Sequence, residues 1–166
     1  MKKVILMMML FAPLTMFAQK FGHCDAQAIM QQMPEFIKAK GEVDALQKQK
    51  ENELKSMQEE LQRKYEAYEK AQSTMSATKK QENETELGEL NQKIQQAFQD
   101  GQQELAKASQ ERMQPITNKL VQAIKNVGKN GGYVYIMDIA SGVPYISETL
   151  SKDVTNDVKA ELNKIK

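Results

Sequence analysis

The feature that most constrains this chain is its long polar middle zone, residues 34–128, which holds few helix-breaking residues. From Glu35 to Ala77 there is no proline and only one glycine, Gly41. The zone is rich in Gln, Glu, Lys, Ala, Leu and Met, which are good helix formers. Pro34 stands where a first helical residue is favoured. The zone therefore predicts long helices.

Apolar residues in this zone recur at a spacing of 11 residues. In the first half, seven of nine positions in three such rows are apolar: Val43, Leu54 and Tyr65; Leu46, Met57 and Tyr68; Lys50, Leu61 and Gln72. A strict heptad from Val43 reaches lysines at positions 50 and 64 and fits less well. The second half continues with Ile94, Leu105, Ile116 and Val127, and with Leu87, Phe98 and Leu120. An 11-residue period predicts a straight or slightly right-handed coil.

The apolar pattern lapses between Ser73 and Lys80, where small hydroxyl residues crowd together. This lapse predicts a turn, after which the second helix folds back on the first as an antiparallel hairpin. Pro115 lies inside the second helical pattern, where it removes a backbone hydrogen bond. We therefore expect a hinge at Pro115.

The flanking segments, residues 19–33 and 129–166, predict a small β-rich body. Gly131 and Gly132 end the long helix. Strands are expected at Phe21–Asp25, Tyr133–Ile139 and Val143–Ser147, where Pro144 marks an edge. A short helix is expected at Ala26–Met33, and a final helix after Asp153 has one face made by Val154, Val158, Leu162 and Ile165. The fold class is mostly α with a small β body, and the helical hairpin is inserted between the body's two segments.

The strand Tyr133–Ile139 is apolar on both faces, although so small a body has few elements to cover it. This favours burial against further copies of the chain. Tyr133, Tyr135 and Ile136 are the candidate oligomerisation residues.

The N-terminus, residues 1–18, is expected to be a cleaved signal peptide. Lys2 and Lys3 precede an apolar run from Val4 to Phe17, followed by Ala18. The run has about 14 residues, short of the roughly 20 that span a bilayer; an uncleaved anchor is the alternative. With Lys2 and Lys3 removed, the 23 basic side chains fall to 21 against 22 acidic ones. A net charge of −1 argues against nucleic acid as a partner.

The residues offer little for catalysis: one histidine, one cysteine and no tryptophan. No enzyme activity, metal or cofactor is expected. Cys24 is interpreted as a half-buried strand residue rather than a lipidated one. His23, Cys24 and Asp25 are adjacent on a strand, so they point to opposite faces and do not converge on one ion.

Several motifs resemble those of one family. The opening Phe21-Gly-His-Cys-Asp25, then Met33-Pro34-Glu35, Pro115-Ile116, Gly131-Gly-Tyr133 and Asp153-Val-Thr155 are similar to the Skp/OmpH group of periplasmic chaperones. The resemblance implies a homotrimer of β-rich bodies whose helical arms hold unfolded outer-membrane proteins without ATP. Its best-known members are basic, whereas this mature chain is near neutral, which weighs against lipopolysaccharide binding.

Two functions from different classes are therefore compared. One is a periplasmic holdase; the other is a structural coiled-coil spacer or assembly adaptor of the envelope. For a holdase, flexible and polarisable methionines suit weak contacts with varied clients. Met57, Met75 and Met113 are the candidate client-binding residues, and hairpin core is the alternative for each. Peripheral membrane contact is a further candidate interaction.

Overall fold

A computed structural model describes residues 19–165, so the expected signal peptide lies outside the described residues. The elements are β1 (Lys20–Cys24), α1 (Ala26–Gln31), α2 (Pro34–Ala71), α3 (Ala77–Gly131), β2 (Tyr133–Asp138), β3 (Ser151–Asp153) and α4 (Thr155–Leu162). Short 3-10 turns occupy Gln72–Thr74 and Ile139–Ser141. The described chain is mostly helical with a small sheet, as predicted. It divides into two compact units: residues 27–121, and the residues before and after that range.

The sheet unit has three strands in the order β2-β1-β3 within the described residues. β1 pairs in parallel with both neighbours. The prediction of a strand at Val143–Ser147 is wrong, because that segment is irregular and the third strand is Ser151–Asp153. Pro144 lacks an N–H for a ladder. The Ser151 N–H instead donates a hydrogen bond to the Ser147 carbonyl at 3.1 Å. This turn leads into β3, which pairs with β1.

The final helix, α4, begins at Thr155 after the N-cap residue Val154, one residue beyond Asp153. An Asp153 carboxylate oxygen accepts a hydrogen bond from the Thr155 backbone N–H at 2.8 Å. Val154, Val158 and Leu162 form its buried face, and the helix packs against β1. The central strand is thereby covered on one side.

In the unit of residues 27–121, ion pairs join α2 to α3 at four levels. The pairs are Glu35–Lys119, Glu42–Arg112, Lys50–Glu104 and Lys64–Glu86. Partner numbers fall along α3 as they rise along α2, which is the pattern of antiparallel neighbours. Residues 72–76 connect the two helices.

The connection is shorter than the predicted turn at Ser73–Lys80, because α3 already begins at Ala77. Ser76 is responsible for this early start. Its Oγ accepts a hydrogen bond from the Lys79 backbone N–H at 3.3 Å, which caps the helix.

The seam of α2 follows the predicted 11-residue rows from Val43 to Leu61 and changes to heptad spacing beyond Leu61. Its partly buried residues are Val43, Leu46, Lys50, Leu54, Met57, Leu61, Lys64, Tyr68 and Ala71. Successive seam residues are three or four positions apart in alternation, with one additional four-residue step between Lys50 and Leu54. The prediction was wrong for Tyr65, which is exposed. Both lysines enter the seam because their aliphatic stems pack there while their ammonium groups reach glutamates of α3.

Candidate functional site

The open face of the sheet is one candidate site. A bulge in the β1–β2 ladder determines which β2 residues lie on this face. Lys20 pairs with Tyr133, whereas the next residue, Phe21, pairs with Tyr135, so Val134 is an extra residue. An extra residue reverses the alternation of faces. Tyr135 consequently joins Phe21 on one face, while Tyr133 remains on the other.

On the open face, Phe21 stacks on Tyr135 with ring centroids 4.9 Å apart. A groove of about 290 Å³ follows this pair; its lining includes Phe21, Tyr135, Met137, Tyr145 and Leu150. Tyr135 remains 49% exposed, and Tyr145 and Leu150 are more exposed still. Aromatic and aliphatic side chains so placed are typical of a surface that another chain covers.

The covered face holds the other two predicted oligomerisation residues. A Cβ built on Gly22 would lie 3.1 Å from a Tyr133 ring carbon and 3.2 Å from Ile136 Cγ1. One built on Gly128 of α3 would lie 3.6 Å from Ile136 Cδ1. Of the three predicted residues, the structure therefore places Tyr135 on the open face and packs Tyr133 and Ile136 inside the unit.

The candidate client-binding methionines lie along the helices of the other unit. Met57, Met75 and Met113 are each half-buried. Met57 is in the α2 seam. Met75 lies in the connection, where its sulfur accepts a hydrogen bond from the Asn83 amide at 3.8 Å. Each one exposes part of its side chain, and the three do not form a single cluster.

A second apolar feature of the helices is a groove that Phe98 helps to line, here called the Phe98 groove. The groove has a volume of about 540 Å³, and its apolar lining includes Val43, Leu54, Phe98 and Leu105. Gly101, without a side chain, lies against the stem of Lys50. Phe98 is 53% exposed. Sequence reasoning treated Phe98 as an 11-residue row member; the heptad seam through Ile94 and Gly101 instead places it beside the seam.

The charged side chains between the helices are held by their partners. The pKa of Lys50 is raised by its hydrogen bond to Glu104, and the pKa of Lys64 is raised by its hydrogen bond to Glu86. Tyr68 donates a hydrogen bond to Glu84 at 2.6 Å, which raises the pKa of the phenol. These groups stay in their ordinary charge states near neutral pH and serve to join the helices.

Pro115, the predicted hinge residue, is exposed and lies inside α3, which continues through it as helix. The nearby Ile116 and Leu120 are buried. The side of α3 that packs therefore runs past the proline without interruption.

His23 and Cys24 point to opposite faces of β1, as expected. His23 Nδ1 lies 2.9 Å from Ser151 Oγ, while Cys24 is buried. No grouping of three or more His, Cys, Asp or Glu suited to a metal is present in residues 19–165. Within that range, no helix is both long and apolar enough to cross a membrane.

The chain thus belongs to the class of mostly helical proteins in which the sequence of two long helices is inserted between the strands of a small parallel sheet. The family described as Outer membrane protein (OmpH-like) matches residues 20–162, and the chain belongs to it. The Skp/OmpH resemblance is confirmed.

Individual relatives agree with this assignment. The chain is 28% identical to the chaperone protein Skp of Yersinia enterocolitica over 141 residues, which is 85% of this chain and 84% of the relative. It is 26% identical to the chaperone protein Skp of Pectobacterium atrosepticum over 141 residues, again 85% of this chain and 84% of the relative. An OmpH-like outer membrane chaperone from Caulobacter crescentus has the same fold, with a TM-score of 0.74 at 15% identity over 88% of this chain and 85% of that one.

Proposed function

We propose that this protein is a periplasmic, ATP-independent holdase that binds unfolded outer-membrane proteins and prevents their aggregation. The observation that carries the proposal is the scatter of apolar side chains left exposed on the two long helices: Ile37, Tyr65, Phe98 and Val121. A spacer with a fixed partner needs a continuous apolar stripe. Separate apolar points suit a client without a fixed register, because each contact is weak and replaceable.

The clients have matching chemistry. Outer-membrane strands alternate apolar and polar residues, and they aggregate in water before insertion. The Phe98 groove takes one or two apolar side chains, and Met57, Met75 and Met113 add adaptable contacts along the helices. In this proposal the antiparallel helices are an arm, and Pro115 is its hinge.

The proposed assembly is a homotrimer joined through the sheet units. The open face around Tyr135 supports a trimer joined in this way, because the stacked aromatic pair and its groove are exposed apolar surface that a second chain would bury. Family membership points to three copies. The signal peptide, residues 1–18, is proposed to deliver the chain to the periplasm.

The test is light scattering by a urea-unfolded outer-membrane barrel diluted into buffer, with and without the mature protein and with no nucleotide. A holdase suppresses scattering at near-stoichiometric ratios. Phe98→Ser should weaken the suppression while the fold persists, because the side chain is half in solvent. Gln95→Ser, at an exposed position of the same helix, is the matched control. Undiminished aggregation with the wild-type protein would instead favour the structural spacer.

A further inference from the structure

Two ion pairs between α2 and α3 bracket Pro115. Arg112 Nε lies 2.7 Å from a Glu42 carboxylate oxygen, and Lys119 Nζ lies 2.7 Å from a Glu35 carboxylate oxygen. Arg112 precedes the proline by three residues and Lys119 follows it by four, so one pair lies on each adjoining turn. Pro115 has no N–H, so the hydrogen bond to the Glu111 carbonyl is missing there.

Apolar packing between the helices leaves a groove at this level. A groove of about 320 Å³ runs beside Pro115, and its apolar lining consists of Ala39, Pro115 and Ile116. Ala39 is the α2 contribution, and its single methyl group is too small to fill the groove. Ile116 and Ala39 are themselves buried, and the two ion pairs add to this packing with one contact on each side of the proline.

We propose that Glu35, Glu42, Arg112 and Lys119 form an electrostatic latch, here called the root latch, which controls bending of α3 at Pro115. With the latch closed, α2 holds α3 straight at the missing hydrogen bond. With it open, the joint bends. The value of such bending to a chaperone rests on the function proposed above, since arms that open admit larger clients.

The strength of the latch suits reversible opening. All four side chains are partly exposed, so each ion pair contributes only weakly and can open reversibly. The pKa values of Glu35 and Glu42 are both lowered, chiefly by hydrogen bonds from Lys119 and Arg112. Both carboxylates therefore stay charged at neutral pH, so that ionic strength rather than pH opens the latch.

The test is amide hydrogen exchange of the full mature protein in low salt and in 1 M NaCl, without any client. In E35Q/E42Q, the amides around Pro115, residues 112–119, should exchange about fivefold faster in low salt. Salt should produce a similar acceleration in the wild type, where the Debye length falls to about 3 Å, but little more in the variant. Glu104→Gln removes a cross-helix pair remote from Pro115 and should leave residues 112–119 unchanged.

A further variant separates bending at the proline from general fraying of the helices. Adding Pro115→Ala to E35Q/E42Q restores the backbone hydrogen bond and should return exchange to the wild-type rate. The proposal is overturned if E35Q/E42Q exchanges as the wild type does, or if the triple variant exchanges as fast as E35Q/E42Q. Because no client is present, neither result depends on whether the protein is a holdase.

Discussion

Phe21 and Tyr135 are paired across the β1–β2 ladder and stack with their ring planes inclined by 29°. The bulge at Val134 makes this pairing possible. It also places Tyr133 on the face opposite Tyr135, because Tyr133 and Ile136 lie against Gly22 whereas Tyr135 faces outward. The same short strand thus supplies one face to the interior of its unit and leaves the other open.

Charged substitutions should distinguish these two faces. Tyr135→Asp should leave each chain folded but weaken association, because the new charge is solvated in the separated chain. Ile136→Asp should destabilise the sheet unit, since the new charge would replace a partly buried side chain that packs against Gly22 and Gly128. Light scattering would report the mass and circular dichroism the fold. Two variants with the same folded, monomeric behaviour would contradict the assignment of faces.

Two glycine substitutions should change stability in opposite directions. Gly22→Ala brings a methyl group to 3.1 Å from the Tyr133 ring, which should lower the free energy of unfolding by about 1–3 kcal/mol. Gly41→Ala meets nothing within 4 Å inside α2 and should raise helix stability by about 0.5–1 kcal/mol. Urea denaturation of both variants checks the prediction. A neutral Gly22→Ala would contradict the close approach.

The sheet unit shows what sequence alone can predict. The strand around Phe21, the end of α3 at Gly131 and the apolar face of α4 all follow from local patterns. The bulge at Val134 does not, because it depends on register with a strand more than a hundred residues away. Regular alternation would place Tyr133 and Tyr135 on one face and Ile136 on the other, whereas the single extra residue puts Tyr133 on the face of Ile136.

The long helices show a different limit. The residue composition and the lack of helix-breaking residues predict that α2 begins at Pro34. The prediction of the seam, however, depends on whether lysine is counted as a polar residue. Counted as polar, Lys50 and Lys64 argue against a heptad. Their stems nevertheless occupy the seam because glutamates on α3 receive the charges. The exposure of Phe98 was missed for another reason: the 11-residue row with Leu87 and Leu120 includes it, whereas Ala97 and Gly101 lie in the seam there instead.

Cys24 should be chemically inert in the folded protein. Burial, followed by the nearby carboxylates of Asp138, Asp153 and Asp25, raises the pKa of its thiol to about 11. At pH 8, iodoacetamide should label the native chain far more slowly than the urea-unfolded chain, because the reactive thiolate is rare and enclosed. Equal labelling rates would refute the buried position.

The same thiol predicts a loss of stability at high pH. The unfolded thiol ionises near its ordinary pKa of 9.0, before the folded one does at about 11. Its contribution is therefore complete below pH 9 and declines as the pH rises toward 11. The urea midpoint should fall more between pH 8 and 10 in the wild type than in Cys24→Ala, which serves as the control for other titrating groups.

Export should remove residues 1–18. Mass spectrometry of the protein from its native envelope should find a chain beginning near Gln19. Lys2→Glu with Lys3→Glu should slow processing, because the positive n-region of a signal peptide is lost. A mature protein that retains Met1 would contradict cleavage and favour the anchor.

Replacing Pro115 by Ala should stiffen the arm and test whether bending at Pro115 is needed to hold clients. The substitution restores a helical hydrogen bond, so thermal stability should stay unchanged or rise by the equivalent of about 1–3 kcal/mol. If bending admits large clients, the variant should protect small unfolded barrels as well as the wild type does but large ones less well. Aggregation assays with two barrels of different strand number measure this. Equal protection of both sizes by the variant would show that holding does not require the joint, and a rigid arm would then suffice.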